Sequence, residues 1–134
     1  MNNEISKTKA FLWIGFLAAV NYLIVGGFFG IIALNIGRVM LAVWGGWYIV
    51  SKAKSNLWFA ALVGVIIMTV DHVILKGGHF LLIQLMWPEK DGADAFGGVL
   101  ISFIMFAPIA ALISLGGGFI GRKKSMSSLS INNQ

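Results

Sequence analysis

Long apolar runs separated by short polar, mostly basic stretches dominate the chain. Ala10 to Gly37 carries no charge, nor does Val39 to Ser51; Leu57 to Val70 is uncharged and stays apolar to Leu75, and Ala95 to Gly121 is again uncharged. A helix rising 1.5 Å per residue needs about 20 such residues to cross about 30 Å of hydrocarbon. Three of these runs are long enough on their own. The run between Arg38 and Lys52 holds only 13 residues and is too short.

Two turns resolve that shortfall differently. A reversal at Gly26-Gly27-Phe28-Phe29-Gly30, where glycines accept the backbone angles of a tight turn, leaves Ile31 to Val50 as a 20-residue helix with Arg38 inside it. A reversal at Asn35 to Arg38 instead keeps the guanidinium in water but leaves a short second helix. Length favours the first and the cost of an embedded charge favours the second.

The fold expected is all-α: a polytopic integral membrane protein of four transmembrane helices, spans about 10–25, 31–50, 57–75 and 96–120, with both termini cytoplasmic. Residues 1–9 form a cytoplasmic segment, 10–121 the transmembrane domain, and 122–134 a basic, polar tail without fixed structure. The apolar run Phe80 to Trp87 is too short to cross. Ending in Trp87 and Pro88, it reads as an interfacial or re-entrant half-helix. With four spans, Lys7, Lys9, Lys52, Lys54, Arg122, Lys123 and Lys124 share the inner side, against Arg38, Lys76 and Lys90 on the outer. That asymmetry obeys the positive-inside rule.

Composition agrees: of 134 residues 58% are hydrophobic and 11% charged, against about 25% charged in soluble domains. A net charge of +5 would suit nucleic acid, but the basic residues sit in short clusters beside apolar runs, so a bilayer is the expected partner and nucleic acid is not. The absence of cysteine removes disulfides, thiolate metal sites and thiol nucleophiles. The apolar stretch near the amino terminus exceeds the about 7–15 residues of a signal-peptide core, and no A-x-A site follows it, so an uncleaved first span is expected.

Chemistry concentrates in a few embedded polar residues. Arg38 lies about 10 Å below the outer end of the second span and Asp71 about 9 Å below that of the third, so opposite charges meet at one depth. Asn35 shares the Arg38 face, His72 adjoins Asp71, and Asn21 approaches the same level on the first span. These five form the candidate cluster, because ionisable residues inside a membrane are expensive to keep there and mark functional sites. Such a pair can equally serve only to neutralise charge and set helix register. Gly45 and Gly64 each stand seven residues from their charged neighbour, which predicts glycine against glycine where the helices pack. Ala107, Ala111, Ser114 and Gly118 form a small-residue stripe on the last span, around Pro108.

Asp71, His72 and His79 do not follow a recognised ligand spacing, and neither a metal nor a cofactor is expected. Glu89, Asp91 and Asp94 read as a solvated outer loop. No phosphate loop, catalytic triad or nucleotide fingerprint is present, so no enzymatic activity is expected. The sequence leaves three functions open. The first is a small bacterial or archaeal inner-membrane protein that acts as an accessory or self-associating subunit, with homo-oligomers or other membrane proteins as partners. The second is an oligomeric channel or transporter using the polar cluster, and the third is a phage holin.

Overall fold

A computed structural model describes residues 6–87 and 92–131, with side chains described to Lys123 and, after the gap, from Phe96. Among these residues every regular element is helical: α1 Lys7–Val20, α2 Gly27–Ser51, α3 Leu57–Met68, α4 Gly77–Met86 and α5 Gly92–Ile131. Two wider π-helical segments join neighbours, Asn21–Gly26 between α1 and α2 and Thr69–Lys76 between α3 and α4. Three continuous helical stretches are long and apolar enough to cross a membrane: Lys7–Ser51, Leu57–Met86 and Phe96–Lys123.

The first of these stretches doubles back on itself. Gly30 adopts φ 81° and ψ −176°, a combination essentially reserved for glycine because any Cβ would clash with its own backbone. The residues on either side of it pair outward like the arms of a hairpin. Gly26 lies against Leu34, Asn21 against Gly37, and Ile14 against Gly45. The reversal therefore falls inside the glycine-rich 26–30 segment, and Arg38 is carried on the helix that follows it. The second turn, residues 52–56, takes the chain through a left-handed Lys54 at φ 47° and starts α3 after an extended Asn56.

Lys7 stacks its ammonium 4.7 Å from the Phe59 ring at the start of α3, and Gly121 on α5 abuts Trp47 near the end of α2. One end of the bundle thus gathers the start of α1, the 52–56 turn and the Arg122-Lys123 pair. The Gly30 turn marks the other end.

The core is narrow and built from small and branched residues. Ala10, Ile14, Ala18, Ile49, Ala60 and Val63 are fully buried, where they pack as one cluster with Ala42 and Ile67. The outside is far more apolar than a soluble protein tolerates: Phe28 is 82% exposed, Leu85 80% and Ile32 75%. Contiguous apolar surface of that extent would drive aggregation in water. In a bilayer it is the correct exterior, since helices satisfy their own backbone groups and lipid solvates the side chains. These features make the chain a multi-pass membrane protein.

Three local expectations are corrected. Phe80 to Trp87 is no separate half-helix: α3, the π-helical segment and α4 run on as one helix, Leu57–Met86, of 30 residues. Gly77 keeps helical angles, φ −64° and ψ −44°, because each of the two adjacent glycines costs a helix only about 1 kcal/mol and an apolar turn follows. The stretch from 122 also stays helical to Ile131, where a polar tail without structure was expected. It contains no proline or glycine after Gly121 to stop it. The glycine-on-glycine contact is not made either: Gly45 faces Val63 and Ile14, while Gly64 turns to Ala110 of α5. Glu89 and Asp91, and the side chain of Asp94, lie outside the described residues.

Candidate functional site: a polar pocket in the upper half of the bundle

Arg38 follows the Gly30 turn by eight residues, about 12 Å along α2. Asp71 follows Leu57 by 14 residues, about 21 Å along the antiparallel helix. The two meet: Arg38 Nε donates to Asp71 Oδ2 at 2.5 Å. Asp71 is fully buried, while the Arg38 side chain is 17% exposed. A second nitrogen of the same guanidinium, Nη1, donates to Asn35 Oδ1 at 2.7 Å, one turn earlier on α2. Holding a carboxylate in the interior requires a paired cation with good hydrogen-bond geometry, and the planar fork of arginine serves two acceptors at once.

Asn21 behaves differently from the other four. Its side-chain nitrogen donates to the Leu34 carbonyl at 3.3 Å, and any Cβ at Gly37 would collide with it. It ties the two arms of the first hairpin together and is not bonded to the ion pair. It also opens one of the two π-helical segments, and Asp71 and His72 lie in the other. Such segments widen the helix locally and recur at functional sites.

His72 is buried at 5% exposure, with its ring 6.5 Å from that of Phe106 on α5. Its Nδ1 has no hydrogen-bond partner among the described residues, and neither does the second oxygen of Asp71, Oδ1. Unpaired buried polar atoms are uncommon and costly. Those two atoms are adjacent in sequence.

Beside this group lies a cavity of about 490 Å³, bounded by α2, the Thr69–Lys76 segment with the end of α3, and α5. Arg38, Asn35, His72, Lys76, Tyr22 and Ser102 supply its polar wall; Asp71 does not line it. Its volume falls within the range of about 300–1,000 Å³ typical of small-molecule pockets. The deepest lining residue on α2 is Ala42, twelve residues or about 18 Å from the Gly30 turn. Below it the helices close: Ile14, Ile49, Ala60 and Val63 are fully buried and none of them lines the cavity.

The small residues expected at helix contacts lie mostly inside the bundle. Gly46 sits against the Ser114 backbone, Gly117 against that of Val43, Gly64 against Ala110, and Gly118 against Ala60. Ser114 Oγ donates to the Ala42 carbonyl at 2.8 Å, stitching α5 to α2. Ala107 is buried against Met68 and Ala110, and Ala111 contributes backbone to the Gly64 contact.

From the sequence Lys76 reads only as an outer-side charge and Ser102 only as a serine on the last span without an adjacent base, while Tyr22 and Phe106 carry no signal of their own. The signal for Lys76 was present: it stands four residues after His72, on the same helical face, provided the helix continues. His79 is exposed, and no group of three His, Asp or Glu side chains suited to a metal occurs among the described residues. No protein-family model, curated protein or solved structure matches the chain.

Proposed function

We propose that this protein crosses the membrane four times with both termini in the cytoplasm and acts as a non-enzymatic accessory or self-associating subunit of a membrane complex. Length supports the crossings: 45 residues from Lys7 to Ser51 would measure about 68 Å as a straight rod, more than twice the hydrocarbon core. Positive-inside asymmetry supports the orientation, since Lys7, Lys52, Lys54 and Arg122 gather at one end of the bundle. A bacterial or archaeal inner membrane is the location this reading implies.

The observation that carries the functional part is the one-sided pocket. It ends about midway through the bundle above a closed apolar plug, so the monomer offers a place to bind and no path to traverse. With Gly46, Gly64, Gly117 and Gly118 occupied by contacts within the chain, association with other subunits falls to the outward face of α5, where Met105, Leu112 and Phe119 are exposed and a Cβ at Gly116 would meet nothing. Flux through liposomes reconstituted with the purified protein tests this. The expected result is no ion or solute leak above protein-free vesicles. A leak that Arg38→Gln or Asp71→Asn abolishes would overturn it in favour of an oligomeric channel or transporter, the second reading, to which the unpaired Asp71 oxygen and His72 nitrogen lend some support. Harmless induced expression would set the holin alternative aside.

A further inference from the structure

The cavity has walls of two kinds. Its polar lining includes Arg38 on α2 with His72 and Lys76 on the Thr69–Lys76 segment; its apolar lining includes Ile31 and Val39 on α2 with Phe106 and Ile109 on α5. These apolar residues are not packed away: Ile31 is 72% exposed, Ile109 51%, Phe106 49% and Val39 47%. In a bilayer, exposure of that kind faces acyl chains. The pocket therefore communicates sideways with lipid.

Charge decides what enters. Asp71 is the one acid among the described side chains, and it is paired with Arg38. Lys76 has no carboxylate partner among the described residues, so with Arg38 paired to Asp71 the described side chains around the pocket sum to one net positive charge. Lys76 follows Leu57 by 19 residues, about 28 Å along its helix, which places it near the outer edge of a core about 30 Å thick. Arg38 sits deeper, level with Asp71. A ligand held by both has an anionic group at the level of Lys76 and an apolar part reaching inward along the bilayer side.

We propose that this pocket is a binding site for an anionic phospholipid of the outer leaflet. Its phosphate is held by Lys76 and the free edge of the Arg38 guanidinium, with His72 and Asn35 lining the head group, and an acyl chain lies against Ile31, Val39, Phe106 and Ile109. Basic pockets between transmembrane helices are suited to anionic head groups, and guanidinium pairs with phosphate through charge-assisted hydrogen bonds. A free phosphate ion would satisfy the cations but leave the apolar walls unmatched, which is why the lipid is the chosen occupant. The site rests on the binding role proposed above and names its ligand class.

Native mass spectrometry of the full chain, released from detergent with defined lipids, tests it. Phosphatidylglycerol should be retained in preference to phosphatidylcholine of the same chains. Lys76→Gln should reduce that preference about five-fold, the effect of one basic residue meeting an anionic membrane. Ile109→Trp, which fills the apolar wall and leaves every charge in place, should displace phosphatidylglycerol while the protein stays folded by circular dichroism. Equal retention of the two lipids, or a preference that neither variant changes, overturns the proposal. Displacement of lipid by inorganic phosphate at moderate concentration overturns it in favour of a free-anion site. Liposome flux is read separately: a leak refutes the non-transporting role whether or not the lipid is selected, and loss of lipid selectivity leaves that role intact.

Discussion

Replacing Gly46 by alanine sets a helix-packing penalty against a helix-propensity gain, and the geometry says which is larger. A Cβ at Gly46 would overlap the Ser114 carbonyl oxygen and come within 2.8 Å of the Ser114 carbonyl carbon, whereas non-bonded carbons are comfortable at about 3.5–4.0 Å. Both partners are main chain, so no rotamer change relieves the clash and α2 and α5 must part by about 1 Å. That opens the Ser114 to Ala42 hydrogen bond from its 2.8 Å beyond useful range. Interhelical hydrogen bonds in membranes are worth about 0.6 kcal/mol on average and at most about 1.7. Forcing extra methyl groups into a packed interior typically costs about 1–3 kcal/mol. Against this, alanine gains about 1 kcal/mol over glycine in a helix. The net expectation is a loss of about 1–3 kcal/mol for Gly46→Ala. Gly116, one residue from the contact face, is exposed with nothing near its missing Cβ, so Gly116→Ala should gain or stay level. Reversible unfolding in mixed micelles, followed by circular dichroism, measures both. If Gly46→Ala proves as stable as Gly116→Ala, the close approach of α2 and α5 is wrong.

Other outcomes follow from the same geometry. Gly30→Ala should destabilise the first hairpin by about 1–3 kcal/mol, the usual cost of forcing a side chain into a glycine-only conformation, and limited proteolysis near that turn should accelerate. Because the chain contains no cysteine, single substitutions report topology directly. Phe29→Cys should react with a membrane-impermeant maleimide added outside intact cells, and Lys54→Cys only after permeabilisation; an unreactive Phe29→Cys would place that residue in the bilayer and remove a crossing. Arg38→Asp and Asp71→Arg should each lower the yield of folded protein, since each leaves like charges facing in the interior, and the double exchange should recover a substantial part. No recovery at all would mean that the two residues do not act as a pair. Asn21→Leu should loosen the first hairpin by about 0.6–1.7 kcal/mol through loss of its bond to Leu34, without altering phosphatidylglycerol retention.

Hydrophobic run length is a one-dimensional property, so the sequence alone determined that the chain is helical and lives in a bilayer. With the first turn taken at 26–30, it also set Arg38 and Asp71 at matching positions along their helices, because residues count out distance along a helix at a fixed rise. The glycines at 26–30 and the length of the following run favour a first reversal there, the cost of an embedded charge favours a turn at Asn35 to Arg38, and the positive φ of Gly30 falls in the first. What the pattern could not carry was rotation about each helix axis and continuity through weak breaks. Gly45 and Gly64 share the right level yet face different neighbours, since a turn of one residue's arc moves a side chain about 100° around the helix. Gly77-Gly78 reads as an interruption locally, but the apolar turn that follows keeps α4 in line with α3, while Lys76, just before the glycines, shares a cavity with Arg38 only through the packing of α2 beside the Thr69–Lys76 segment. The pocket itself is a gap among three helices that are distant in sequence. Its walls, its closed floor and its sideways opening exist only once α5 has packed between α2 and α3, because the shape of a void is fixed by tertiary contacts and not by any segment that lines it.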